Sequence, residues 1–296
     1  MELRQLRSFC TVANTTSFTR AAEILGYAQS SITTQIQLLE QELGTKLFYR
    51  TGKHVTLTSD GECFLTYVRQ ILHLSAEAKE AISGLSIPKG SITIGAPESL
   101  CSTRLPVILK EYRRRNPQVK IALKTGVFED FREWMKTHLI DVAFFLQQET
   151  SYSELITKTL NIQPMVVACG AGHALISKGT IAPADLRDET LIVAERSCGY
   201  SLTWENMLSK AGIYPETVLE FSSITAMKQF AICGLGITLL PRVAIAQELE
   251  TGTLVDLHWA GEDFGIVTQI AYHKNKWLSP ALTSFLALTN ELFQTG

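Results

Sequence analysis

Apolar positions in the first ninety residues recur at helical spacing, interrupted by glycines. Leu3, Leu6, Phe9 and Val12 form one amphipathic segment. Phe18, Ala21, Ala22 and Leu25 fall at i, i+3, i+4 and i+7 behind Ser17, whose hydroxyl suits a helix N-cap. Gly26 and Tyr27 break that pattern. Ile32, Ile36, Leu39 and Leu43 resume it, and Gly44 stands where a helix end favours a left-handed residue. Two short helices a few residues apart make a helix-turn-helix candidate.

Phe48 and Arg50, then Val55 and Leu57, alternate on either side of Thr51, Gly52 and Lys53, which predicts a two-stranded wing. Ser59 and Glu62 have capping-box spacing, so a further helix opens there. Its stripe of Phe64, Val68, Ile71, Ser75, Ala78, Ile82 and Leu85 alternates steps of four and three. Such a seam on a rod of about 40 Å, at 1.5 Å per residue, predicts pairing with a second copy of the chain.

Residues 87–90 carry Pro88 and Gly90, and mark a hinge. Beyond them the period switches repeatedly. Strands are predicted at 92–96, 119–123 and 140–146, with helices around 105–115 and 129–137. A second set follows, with strands at 165–169, 191–193, 218–221 and 236–240 and helices at 202–211 and 224–233. A strand at 266–272 and a helix at 279–293 finish the chain. This alternation predicts an α/β class with parallel strands covered by helices. The boundaries expected are 1–58 for the winged helix-turn-helix, 59–86 for the linker helix, 87–90 for the hinge and 91–296 for a two-lobed domain. Lobe I would take residues 91–160 and 266–296, and lobe II residues 161–265. Open α/β sheets bind ligands beyond the carboxyl ends of their strands, so residues 97–102 and 126–128 are candidate contact loops.

Composition narrows the class. An apolar fraction of 46% excludes disorder as the main state. The longest apolar run, residues 231–241, is well short of the roughly 18 a spanning helix needs, so no membrane association is expected. Charges at Glu2, Arg4 and Arg7 stand where an export signal needs its apolar core, which points to the cytoplasm. The net charge of −2 excludes a uniformly basic coat protein. Residues 45–59 nevertheless hold Lys46, Arg50, Lys53 and His54 and no acid, a local +3 able to lie along phosphates.

Gln29, Ser30, Ser31, Thr33, Thr34 and Gln35 point away from the apolar stripe, with no acid before Glu40. Amides and hydroxyls read base edges, whereas a merely solvated helix face usually carries Glu and Lys. The DNA-binding residues expected are therefore these six with Arg50, Lys53 and His54.

Catalytic motifs are missing. Gly234, Leu235 and Gly236 lie after a helix and before a strand, the reverse of a dinucleotide loop. Six scattered histidines and six cysteines without a C-x-x-C predict neither a metal site nor a disulfide framework, and no cofactor is expected. Glu129, Asp130 and Glu133 read as an acidic helix start.

Residues 18–25, 29–36, Leu39-Glu40, Leu43-Gly44, Leu47-Phe48, Arg50 and Leu57-Thr58 resemble the winged helix-turn-helix of LysR-type transcriptional regulators. Ile94-Gly95, Leu105-Pro106, Pro117, residues 140–143, residues 234–237 and Pro241 are similar to that family's effector-binding domain, so the resemblance covers essentially the whole chain. Two departures are Ala28, where the family commonly caps its recognition helix with Ser or Thr, and Thr34, where it commonly has a basic residue.

The resemblance implies a two-lobed effector-binding domain of periplasmic-binding-protein type. It also implies a homodimer or homotetramer binding an imperfect inverted repeat in double-stranded DNA at a promoter. A small-molecule effector in the cleft would alter DNA bending and RNA polymerase recruitment. By position, the effector contacts implied are Ser99, Ser102, Val127, Phe128, Cys198, Gly199 and Tyr200, with Phe145 and Ile224. Glu98 beside Ser99 disfavours an anion. Two alternatives stand beside this reading: a thiol-based redox regulator switching at Cys198, and a solute-binding protein confined to residues 91–296.

Overall fold

The computed structural model describes residues 1–51, 54–82, 87–194 and 198–294, with the backbone alone at Arg50, Thr51, His54 and Glu80. Two compact units result, one from residues 1–85 with 136–139 and one from the remainder.

The N-terminal unit runs α1 (Leu3–Thr15), α2 (Phe18–Leu25), α3 (Gln29–Leu43), β1 (Phe48–Thr51), β2 (His54–Leu57) and α4 (Ser59–Ile82). The Ser17 hydroxyl accepts the Arg20 amide and caps α2, while Gly26 closes α2 in the left-handed region at φ 68°. Ile32, Ile36 and Leu39 are fully buried against Leu6, Phe9, Val12, Phe18 and Ala21. Phe9 packs between Phe48 and Phe64, with both ring centroids 5.2 Å away. The buried Glu40 carboxylate accepts the Leu47 amide at 3.0 Å and the Lys46 ammonium at 2.9 Å, fastening the start of the wing to α3.

The expected seam of α4 needs correction. Leu65 and Val68 are buried within this unit, and Phe64 and Ile71 pack against the same core. The first turns of the helix therefore find their apolar partner in α1 of the same chain. What remains exposed is Tyr67 and Leu74, to one side of that seam, and Ile82, a member of the seam beyond the N-terminal core. Leu85 lies outside the described residues.

The C-terminal unit holds two five-stranded sheets. The first is built from β3 (Gly90–Ala96), β4 (Val119–Thr125), β5 (Val142–Gln148), β6 (Leu155–Ile162) and, after a long excursion, β12 (Ile266–His273). Its helices are α5 (Glu98–Ser102), α6 (Leu105–Arg115), α7 (Phe128–Lys136) and α11 (Pro280–Gln294). The second contains β7 (Met165–Gly170), β8 (Leu191–Ala194), β9 (Val218–Phe221), β10 (Ile237–Pro241) and β11 (Leu254–Asp256), with helices α8 (Gly199–Lys210), α9 (Ile224–Ile232) and α10 (Ala246–Thr251). Strand orders are β4-β3-β5-β12-β6 and β11-β7-β10-β8-β9.

The expectation of parallel strands holds for β3 with β4 and β5, and for β8 with β9 and β10. It fails for β12 with β5 and β6, and for β7 with β10 and β11, which are antiparallel. These strands are where the chain passes between the sheets. Interior ones such as β12 are buried on both faces and so show the continuous apolar run of a parallel strand.

Candidate nucleic-acid interface and ligand cleft

Gln29, Ser30, Ser31 and Thr34 are exposed on α3 and Thr33 is half-buried; Glu40 is buried, with its carboxylate turned to Lys46 and the Leu47 amide. No side chain caps α3 at Ala28, which leaves first-turn amides able to meet a phosphate. The Thr33 and Thr34 hydroxyls donate to the Gln29 and Ser30 carbonyls, both at 3.0 Å, and so present lone pairs and methyl groups outward. Gln29 Oε1 accepts the Thr19 hydroxyl at 3.3 Å, holding that amide at the junction of α2 and α3.

Gln35 departs from the set. Its Oε1 accepts the buried Ser8 hydroxyl at 2.6 Å, so this amide joins α3 to α1. Lys46, counted in the basic stretch, is engaged by Glu40. β1 and β2 form the expected antiparallel wing, but the side chains of Arg50 and His54 and all of Lys53 lie outside the described residues.

In the C-terminal unit a cavity of about 370 Å³ opens beyond the carboxyl ends of β3, β4, β8 and β9, where the strand-end rule places ligand sites. From the first sheet it is lined by Pro97, Glu98, Ser99, Thr125, Gly126, Val127 and Asp130. The second sheet supplies Ala194, Cys198, Tyr200, Phe221, Ser222, Ile224 and Met227. A smaller hollow of about 30 Å³ adjoins it, where Phe128, Phe145 and Gly199 meet Val127 and Cys198.

Five of the expected effector residues, Ser99, Val127, Cys198, Tyr200 and Ile224, thus line the larger cavity, and three more line the smaller one. Ser102 lines neither. It is exposed on α5 and its hydroxyl donates to the Glu98 carbonyl at 3.1 Å. Phe221, Ser222, Met227 and Asp130 were not singled out as contacts. The end of the predicted strand 218–221 pointed to the first two by the rule that selected residues 97–102.

Two features define the chemistry. Ser99 is only 4% exposed and its Oγ has no hydrogen-bond partner among the described residues. Glu98 Oε2 accepts the Ile224 amide of α9 at 3.3 Å, a bond from one sheet's helices to the other's. Cys198 keeps part of its surface open, yet burial pushes its thiol above the usual range, against hydrogen bonds from Ser201 and Tyr200. Burial likewise raises the Tyr200 phenol, so it stays a neutral hydroxyl.

Residues 3–62 match the family model described as a bacterial regulatory helix-turn-helix protein, lysR family, and residues 86–294 match the LysR substrate binding domain. The uncharacterised HTH-type transcriptional regulator YwqM of Bacillus subtilis is 38% identical over 99% of this chain and 100% of its own length. GltR, an HTH-type transcriptional regulator of the same organism, is 32% identical over 99% of this chain and 98% of its own. Among solved structures, CbnR in complex with its target DNA superposes with a TM-score of 0.69 at 23% identity, over 98% of this chain and 99% of that one. A full-length OxyR variant of Pseudomonas aeruginosa gives 0.75 at 21%, over 99% and 95%. Both likenesses are of fold.

Proposed function

The chain belongs to the LysR family of transcriptional regulators, and we propose that it reads promoter DNA with the exposed face of α3 and is switched by a small molecule in the cleft between its two C-terminal sheets. The cavity carries this reading: its wall is drawn from both sheets, so one ligand touches both and can change how they sit.

On α3 the base-reading groups are Gln29, Ser30, Ser31, Thr33 and Thr34, while Arg50, Lys53 and His54 of the wing contact phosphate. Gln35 acts indirectly, by fixing α3 on α1. We divide the chain into 1–58, 59–86, 87–90 and 91–296, with Ser99, Val127, Cys198, Tyr200 and Ile224 as principal effector contacts and Phe128, Phe145 and Gly199 as neighbours. The exposed residues of α4 pair two copies, two such half-sites match an imperfect inverted repeat, and the bound assembly meets RNA polymerase in the cytoplasm. A thiolate switch at Cys198 would need a lowered pKa, the opposite of the direction found.

Thermal unfolding of the full chain against a metabolite panel tests the cleft. A compound that raises the melting temperature should bind Ser99→Ala roughly five- to thirtyfold more weakly, the loss of a buried hydroxyl's bond. A compound that stabilises both proteins alike binds elsewhere and contradicts the reading.

A further inference from the structure

Building on the reading of this cleft as the effector site, we propose that the effector is an organic cation, an ammonium or amidinium on an apolar or aromatic frame, and that Glu98 is the counter-charge that selects it.

Among the described residues the cavity wall holds two carboxylates, Glu98 and Asp130, and no lysine, arginine or histidine; Glu195, Arg196 and Ser197 lie outside the described residues. The two acids differ in what they are free to do. Asp130 Oδ2 accepts the Val127 amide at 3.2 Å, as an acid does when it closes the start of a helix. Glu98 accepts the Ile224 amide, from the other sheet's helix, at 3.3 Å; a carboxylate has about four acceptor positions, so Glu98 retains capacity for a charged donor, and it stands beside Ser99. Its charge is felt by its neighbours: burial and then Cys198 raise the Tyr200 phenol, with Glu98 adding to them, and after burial Glu98 helps hold the Cys101 thiol up at about 11.

Next to it, the buried Ser99 hydroxyl lines the same cavity with no hydrogen-bond partner among the described residues. Buried polar groups are nearly always paired, and a ligand N–H directed at Glu98 passes within reach of a neighbouring hydroxyl oxygen. The remaining wall suits the rest of such a molecule. Phe221, Tyr200, Ile224 and Met227 supply apolar and aromatic surface, and aromatic faces favour cations. A carboxylate ligand would meet the repulsion of Glu98 in a partly enclosed site, where charge interactions are stronger than in water. A cation that engages Glu98 does so beside the Ile224 amide, so the ligand and the start of α9 share one carboxylate.

Calorimetry and thermal unfolding of the full chain test this with phenethylamine and agmatine as cations, and phenylacetate and adipate as anions, at millimolar concentration. At least one amine should bind and neither acid should. Glu98→Gln should weaken the amine about tenfold or more, in line with loss of a charge-assisted hydrogen bond. Asp130→Asn should weaken it less, and Ser99→Ala should weaken it severalfold. Binding of an acid but not an amine, still sensitive to Ser99→Ala, overturns the charge assignment and leaves the cleft reading intact. Binding indifferent to both Ser99 and Glu98 overturns the cleft reading as well. No response to either amine overturns the proposal.

Discussion

Gly199 lies so close to Gln147 that a β-carbon on the glycine would overlap the Gln147 Cβ and press on the Leu146 carbonyl at 2.9 Å. The first turn of α8 thus rests directly on the end of β5, a strand of the other sheet, beside the ligand cavity. Only a residue without a side chain permits that approach. Gly199→Ala should cost roughly 1 to 3 kcal/mol through overpacking, seen as a lower melting temperature. Gly172→Ala, with open space around it, should leave stability nearly unchanged. Equal melting of the two variants would show that α8 does not bear on β5.

Gln35→Ala should behave as a stability mutation. It leaves the fully buried Ser8 hydroxyl without its acceptor, at a cost of about 1 to 3 kcal/mol. Denaturant unfolding should show that loss, while the relative preference among DNA sequences stays as in the parent. A changed base preference with unchanged stability would put Gln35 back among the base-reading residues.

Val68 and Ile82 share one helix but should fail differently. Val68 is fully buried in the N-terminal core, so Val68→Ala removes two methyl equivalents and costs roughly 2 kcal/mol without changing the oligomer. Leu74 and Ile82 are 52% and 86% exposed. Leu74→Glu or Ile82→Glu should dissociate the assembly in sedimentation experiments with little effect on monomer stability. Unchanged mass in both would rule out pairing through these exposed residues of α4.

Because burial raises the Cys198 thiol above its usual range, the reactive thiolate should be scarce at neutral pH. Iodoacetamide should therefore modify the exposed Cys63 and Cys233 first, with Cys198 reacting appreciably only as pH rises well above that of free thiols. Mass spectrometry after partial alkylation would reveal the order. Preferential labelling of Cys198 at pH 7 would favour the redox alternative.

Helix periodicity was highly legible here, since Phe18, Ala21 and Ala22, then Ile32, Ile36 and Leu39, face one core and are capped by residues with local preferences, Ser17, Gly26 and Gly44. Partner choice was not. The stripe of Phe64, Val68 and Ile71 is equally apolar whether it meets α1 or a second chain, and only the fold shows that α1 has taken it. Strand direction was hidden for a related reason: β12 is buried on both faces, which period alone cannot distinguish from a parallel strand. The edge strand β6, alternating exposed and half-buried residues such as Thr157 and Lys158, offered too weak a stripe. In the cleft, the strand-end rule found Ser99 and Val127, but Gln35 looked like its exposed neighbours because its partner, Ser8, is 27 positions away.

Selection of duplexes from a randomised pool by the full-length protein, at fixed salt, bears most directly on the function. An enriched site with two related half-sites is expected, and Gln29→Ala should cost about 1 to 3 kcal/mol at one base pair of each half-site while leaving others unchanged. Enrichment of no sequence, with binding that varies only with salt, would contradict the assignment of α3 as the element that reads DNA.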